Sequence, residues 1–457
     1  MLIQGGVEVC HMKLILNIVL SILLINVSFA GKKENCQPFL QGPPDQTHMI
    51  APQKNVASKT KTYILPGTPA TSQWGVFDNA TPPVLTINSG DTVVYETLAA
   101  AANQVVPGTT IDQITEMNTA VEGRGPHTLT GPVYVNGAEP GDILKIRINK
   151  IVPRPYASND STPGKGLFPE IFSNKHPFVK YYYLDLNKMQ MQFLPGIMVP
   201  LAPFPGVVAV ARAEPGKYSS GPPGQFGGNM DLRELTEGST LYLPVFVKGG
   251  LVWTGDSHAG QGNGEIDLTA IETAFEEFNV TIDVIKNKSL TWPRAETKTD
   301  WIAVGYDKDL NKAFSILKDE TIKLIMDIRR VSHEKAEKIM LSTWNCPIAE
   351  VVNGVQGVYC MVPKNTNLIK PNLLKADNDQ FFVTSAKDAD LEKAMKMASL
   401  AMIDKVSMKK KLSREDTYIL ASFTMDCRIA PHVSGEKEVV CTMAKNLWKS
   451  NSNNEIG

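Results

Sequence analysis

A chain of 457 residues is too long for one ordinary core, and at about 100–200 residues per domain it implies two or three. Hydrophobic residues at 43% and charged residues at 20% are the proportions of an ordinary folded protein. The formal charge of -1 supplies no global field to draw nucleic acid or an anionic membrane surface, and the lysine run Lys409 to Lys411 reads as a solvated helix end.

In chain order the first element is an export address. After Met12 and Lys13 comes the apolar run "LILNIVLSILLINV", which closes on "SFA" before Gly31. A basic start, an apolar middle and small residues at the -3 and -1 positions predict a leader and signal peptide over residues 1–30, and a periplasmic or secreted protein. The run is shorter than the about 20 apolar residues of a membrane span, so no span is expected after cleavage, a retained anchor helix being the alternative.

Residues 37–299 differ in kind. Runs such as "PVLTINSGDTVVYET", "PVYVNGAEPGDILKIRINKI" and "STLYLPVFVKGGLVW" alternate apolar with polar residues between glycine, proline and asparagine turn signals. They predict an antiparallel β-sandwich or barrel-like domain. The stretch from Pro155 to Lys188 is irregular and reads as a loop or lid.

Three clusters in this region carry chemistry. The first, "GRGPHTLTGPVYVNGAEPGD", holds Arg124, His127, Glu139 and Asp142; the second, "SGPPGQFGGNMDLREL", holds Asn229 and Asp231. The third, "VWTGDSHAGQGNGEID", holds Asp256, His258, Gln261 and Glu265. Residues two apart on a strand share a face, so Asp256 and His258 can reach one ion or substrate, while Glu265 returns through a glycine loop. A neutral imidazole with carboxylates suits zinc or a similar divalent ion. Each cluster also has a plain structural reading. Asp142, Asp231 and Asp256, taken singly, cap turns with their own side chains, and a lone His127 fits a surface or hydrogen-bonded histidine. His48, His176, His333 and His432 have no acidic or histidine partner at useful spacing. There is no GxSxG elbow, HExxH pair or P-loop, and every mature cysteine except Cys36 lies beyond residue 300, away from these clusters.

Residues 300–447 repeat themselves. Segments 301–365 and 382–446 stay in register without a gap at an offset of 81, as from Cys346 to Cys427, so that "CPIAEVVNGVQGVYCMVPKN" matches "CRIAPHVSGEKEVVCTMAKN". Each unit predicts a β lead-in, a helix from an aspartate cap, a helix from a serine cap and a β-run with its own turn. Together they predict a duplicated α+β domain, which lacks a catalytic cluster and so reads as scaffold or as the surface of a homo-oligomer. Cys346 with Cys360, and Cys427 with Cys441, flank equivalent turns. An oxidising compartment permits both pairs to close, and four free, buried cysteines fit the same pattern.

Four of these motifs, "GPVYVNGAEPGDIL", "PPGQFGGNMDLRELTEGSTLYLPVFVKGG", "GDSHAGQGNGE" and "LSREDTYILAS", resemble the acetamidase/formamidase family from about Gln73 to the end of the chain. The resemblance implies a β-rich core with an α+β segment, and hydrolysis of a small linear amide such as formamide or acetamide to ammonia and a carboxylate. It also implies metal ions near the histidine and acid motifs. In the mechanism expected here His127, Asp256 and His258 hold a divalent ion, zinc before calcium, and Glu265 is the general base. Asn229 donates to the oxyanion and Gln261 orients the amide; Glu139, Asp142 and Asp231 are further ligands or their supports. Two positions depart from the family: Asn263 where "QGDGE" is usual, and Phe226 where a polar residue often precedes "GGN", which would enlarge an apolar wall. The alternative is an exported carbohydrate- or small-ligand-binding sandwich with a structural calcium.

Overall fold

Alternating runs become strands of two large sheets in the computed structural model, which describes residues 60–120, 123–365 and 373–448. The leader, the cleavage position near Gly31 and Cys36 lie outside the described residues. One sheet has 12 strands and the other 11. Val133, Val207 and Trp253 from the smaller sheet share one apolar core with Ile146, Leu243 and Phe278 from the larger, so the two pack face to face as a β-sandwich. Two strand pairs are parallel, Thr62–Leu65 with Asp91–Tyr95 and Leu85–Asn88 with Thr128–Asn136, departing from the antiparallel pattern. In each case a long connection returns the chain in the same direction, as parallel pairing requires.

The larger sheet does not stop at residue 299. Thr240–Pro244 pairs with Arg294–Glu296, which pairs with Asp300–Asp307, which pairs with Gln356–Pro363. Beyond that point the elements of segments 300–363 and 381–444 fall at the same offset of 81. Helices Leu310–Arg329 and Leu391–Lys410 start where Asp309 and Asp390 accept the N–H groups of Asn311 and Glu392, and end at Arg330 and Lys411 in the left-handed region. Helices His333–Ser342 and Arg414–Thr424 start at Ser332 and Ser413. Strands Cys346–Glu350 and Asp426–Ile429 pair antiparallel and join the two segments within the sheet. Disulfides Cys346–Cys360 and Cys427–Cys441 close both hairpins. A second apolar core packs the long helices on this part of the sheet. Among the described residues no helix is long and apolar enough to cross a membrane.

The stretch from Pro155 to Lys188 is only partly irregular. Tyr156–Ser161 and Phe178–Asp185 pair antiparallel, with Ala157 and Leu184 buried, which leaves 162–177 as the loop. Aromatic and β-branched residues in "FVKYYYLD" favour that pleated surface. Phe172 anchors the loop by stacking on Tyr418, ring centroids 4.1 Å apart.

Candidate active site

The strand Val252–His258 lies between Phe204–Ala209 and Thr128–Asn136, and its end pairs His258 with Glu272. These pairings bring the sequence clusters together. His258 is fully buried; its Nε2 lies 3.3 Å from Asp256 Oδ1 and 3.3 Å from Glu272 Oε1, and its Nδ1 lies 3.9 Å from Asp231 Oδ1. His127 stands beside them, its Nε2 3.6 Å from Asp256 Oδ1 and its Nδ1 3.1 Å from the Ser220 carbonyl. If Nδ1 donates to that carbonyl, the Nε2 lone pair is left facing Asp256, as in histidines whose second nitrogen is fixed for metal binding.

Backbone geometry serves this convergence. Asp231, Asp256 and Glu265 all have left-handed φ, at 45°, 51° and 51°. Such conformations are uncommon for residues with a Cβ and cluster where side chains are aimed for function. Gly206 makes the room: a Cβ there would sit 2.3 Å from Asp256 Oδ2 and 2.8 Å from Asp231 Oδ1.

The charge balance is lopsided. Asp231, Asp256, Glu265 and Glu272 converge on His258, and their ion-pair partners among the described residues are histidines only. Burial, then the Asp256 charge, raises the Asp231 carboxyl well above its usual range, and burial followed by Asp231 does the same to Glu265. Burial alone would raise Asp256, but His127 and His258 outweigh it and hold that carboxyl at about 2. Burial would lower His258, and the Glu272 and Asp256 carboxylates reverse the sign. Asp231 Oδ1 and both His258 nitrogens are buried without a hydrogen-bond partner. An orphaned carboxylate oxygen beside an imidazole whose own nitrogens lack hydrogen-bond partners, with a space kept by Gly206, fits a divalent cation. Two sets have donor atoms within 4.8 Å of one another: Asp231, Asp256 and His258; and His258, Glu265 and Glu272.

A cavity of about 700 Å³ opens on this cluster and is lined by His127, Asn229, Asp256, Glu265 and Glu272. Asn229 Oδ1 is buried and unpartnered. Five sequence candidates do not line the cavity: Asp231 and His258, which belong to the buried cluster behind it, and Glu139, Asp142 and Gln261. Asp142 accepts from the Glu139 N–H and from Lys286 Nζ, and Glu139 lies 3.9 Å from Lys248, so that acidic pair closes a hairpin turn against lysines. Gln261 donates to the Ala349 carbonyl at 3.4 Å, behind the site. Phe226 does not widen the wall either: it packs in the sandwich core, edge-on to Phe77 at 5.5 Å.

Sequence reasoning missed Glu272, Asn353 and Glu350. Glu272 had a weak signal, an acid on the short strand directly after the third cluster. Asn353 had none, since it lies in the first repeat unit. Its Nδ2 donates to Asp231 Oδ2 at 2.7 Å and reaches Glu265 Oε2 at 3.3 Å. The Glu350 carboxylate accepts the Val352 and Asn353 N–H groups, at 3.2 and 3.3 Å, and fixes that turn. The repeat region is therefore more than scaffold: it supplies a donor to two site carboxylates. Asn263, the departure from "QGDGE", donates to the Ile348 carbonyl at 2.6 Å and accepts from the Cys427 N–H at 3.1 Å. An aspartate there would lose the donor.

The family model described as Acetamidase/Formamidase family matches residues 71–219 and 213–299. Among curated proteins, the acetamidase of Mycolicibacterium smegmatis is 28% identical over 225 residues, covering 36% of this chain and 55% of that protein. The formamidase of Methylophilus methylotrophus is 30% identical over 206 residues, 32% of this chain and 49% of that one. The alignments thus span about half the length of these relatives. Among solved structures, an acetamidase from Yersinia enterocolitica superposes with a TM-score of 0.61 at 26% identity, over 70% of this chain and 96% of the other.

Proposed function

The chain belongs to the acetamidase/formamidase family, and from that premise we propose that it hydrolyses a linear amide to ammonia and a carboxylate. The observation that carries the reading is the convergence of four carboxylates on buried His258, with Asn229 and Glu265 open to the cavity. Asp256 and His258, with Asp231 and with His127 alongside, would hold a divalent ion, zinc by the nitrogen and carboxylate donors. When bound, such an ion polarises a carbonyl and lowers the pKa of a water toward about 7. Glu265 takes a proton from the attacking water as its oxygen bonds to the amide carbon. It returns that proton to the nitrogen as the C–N bond breaks. Asn229 positions the amide through its side-chain carboxamide, whose N–H faces the developing oxyanion, where one donor is worth about 3 kcal/mol. Asn353 holds Asp231 and Glu265 in place.

The test is ammonia release from formamide and acetamide together with metal analysis of the purified protein. Glu265→Gln should lower turnover by about 10² or more with metal content unchanged, as loss of a general base does. His258→Ala should lose bound metal; an unaltered stoichiometry removes His258 from the ligand set. The competing reading, a binding sandwich with structural calcium, is disfavoured by an imidazole at the centre of the acids, because calcium takes six to eight oxygens.

The same reading places the protein outside the cytoplasm after removal of residues 1–30, and treats segments 301–365 and 382–446 as copies of one ancestral unit. Two disulfides support the first point, since such bridges persist in oxidising compartments. Mass spectrometry of the mature N-terminus, expected at or near Gly31, checks it.

A further inference from the structure

We propose that the preferred substrate is a primary amide with an apolar acyl group longer than that of acetamide; this rests on the amidase reading above. The first observation is size. The cavity holds about 700 Å³, and at about 30 Å³ per water that is room for roughly twenty waters. Formamide or acetamide would leave most of it unfilled, whereas pockets of about 300–1,000 Å³ suit larger ligands.

The second observation is polarity. The acids, Asn229 and His127 line one part of the cavity, and Trp74, Leu98, Val105, Ile114 and Met117 line another. Val105 and Ile114 belong to a small apolar cluster, with Trp74 and Met117 packed on it, separate from the two main cores. Since the main cores do not contain it, this wall is a structure of its own, built by Trp74 and residues 98–118.

The third observation is how that segment is held. Ala101, Ala102 and Asn103 are three consecutive non-glycine residues with left-handed φ, 53°, 56° and 65°, a conformation the Cβ disfavours. Ala101 N–H donates to the Pro126 carbonyl at 2.7 Å, and Thr128 Oγ1 donates to the Ala99 carbonyl at 2.6 Å, on either side of His127. Thr110 and Gln113 form a reciprocal capping box that starts the helix Ile111–Thr119, which carries Ile114 and Met117. The chain thus fixes an apolar surface beside the catalytic groups against its backbone preference, as binding segments do.

Charge excludes an acidic group near the reacting end, where four carboxylates already converge. Arg124, also on the lining, lies over the Trp74 ring at 4.7 Å. Lys165 and Lys308 line the cavity too, so an acyl chain ending in a carboxylate is the rival class.

The experiment measures kcat/KM for ammonia release by the full mature chain with acetamide, butanamide, hexanamide, phenylacetamide and the monoamide of adipic acid. Burial of each added methylene should raise kcat/KM about fourfold, so that hexanamide, with four more methylenes, exceeds acetamide by about 250-fold. Met117→Trp, which fills the wall, should cut the hexanamide-to-acetamide ratio about tenfold or more, and Met117→Leu should hold it; the ratio is insensitive to the fraction of folded enzyme. A series that is flat or falls with chain length overturns the inference and leaves the amidase reading standing. A preference for the adipic monoamide over hexanamide overturns the apolar class in favour of the lysines. No ammonia from any amide overturns both readings.

Discussion

Segments 301–365 and 382–446 carry the same elements in the same order, yet they meet the candidate site differently. In the first, Glu350 ends the strand Cys346–Glu350 and fixes the turn that follows, whose Asn353 reaches Asp231 and Glu265. At the offset of 81 the second unit has Pro431 and Ser434, both exposed. Its contribution is made from behind. The Ser422 and Met425 carbonyls accept Gly262 N–H and Asn263 N–H at 2.7 Å each, and Gly262 has no Cβ because one would meet the Ala421 carbonyl oxygen at 2.6 Å. The first unit grips the same loop one residue on, where the Ala349 carbonyl accepts Gly264 N–H at 3.0 Å. The glycine loop leading to Glu265 is thus clamped by both units, and only one of them touches the chemistry. Two equivalent frameworks let one turn reach the site carboxylates while its counterpart stays exposed.

The disulfides break this comparison hardest. Each bridge spans 14 residues in sequence, and closing a loop of that size contributes about 3 kcal/mol. Replacing either cysteine pair by alanine should therefore cost equal stability in urea unfolding. Activity should not fall equally: Cys346–Cys360 brackets the turn with Glu350 and Asn353, so its loss should lower turnover of the folded enzyme, while loss of Cys427–Cys441 should leave it near wild type. Equal activities would mean that the turn is held without its bridge. Thiol counting on the denatured, unreduced mature protein should find one free cysteine, Cys36.

A smaller effect separates the turns themselves. Asn353→Ala removes the shared donor to Asp231 and Glu265 and leaves two buried acids closer to mutual repulsion. Turnover or metal affinity should fall about 10- to 100-fold, as for other residues that orient ligands. Ser434→Ala should change neither. Metal content and kcat measured side by side distinguish a positioning role for Asn353 from a stability defect, which thermal unfolding would register instead.

These contrasts mark where sequence was informative. Asp256, His258 and Glu265 were legible because a strand and one loop place them within ten residues, so local periodicity was enough. The register of the units was legible because aspartate caps, serine caps and cysteines recur at a fixed offset. Asn353 was invisible: it lies 122 residues from Asp231 and 88 from Glu265, and only the pairing of the larger sheet across residue 299 brings it in. Glu139 and Asp142 misled for the opposite reason. An acidic glycine turn has the composition of a ligand loop, and Lys286, far along the chain, decides that it is a hairpin closed by an ion pair.

The smallest predicted effect concerns the residue that ties the second unit to the segment just after Asp231. Asp426 Oδ2 accepts from Arg233 Nη2 at 2.9 Å, two residues after Asp231, and Arg428 donates to both Asp426 oxygens at 2.7 and 2.8 Å. The first unit has Asn345 at the equivalent position, which accepts from Arg428 and carries no charge. Burial would raise the Asp426 carboxyl, but Arg233 and Arg428 outweigh it and hold it well below the usual range. A carboxyl depressed on folding stabilises the protein above its unfolded pKa of about 3.9, and that contribution is lost as pH falls toward the folded value. Asp426→Asn keeps the hydrogen-bonding shape and removes the charge. With the side chain about a quarter exposed, the cost should be about 1–2 kcal/mol rather than the larger penalty of a fully buried pair. In urea unfolding the gap between wild type and Asp426→Asn should stay constant from about pH 5 to 8 and narrow below about pH 4. Asn345→Asp, which gives the first unit the same charge beside Arg428, should show a gap of opposite sign over the same acid window. A gap that persists unchanged at pH 3 would mean that Asp426 acts through packing, and that the two units differ here in shape rather than in charge.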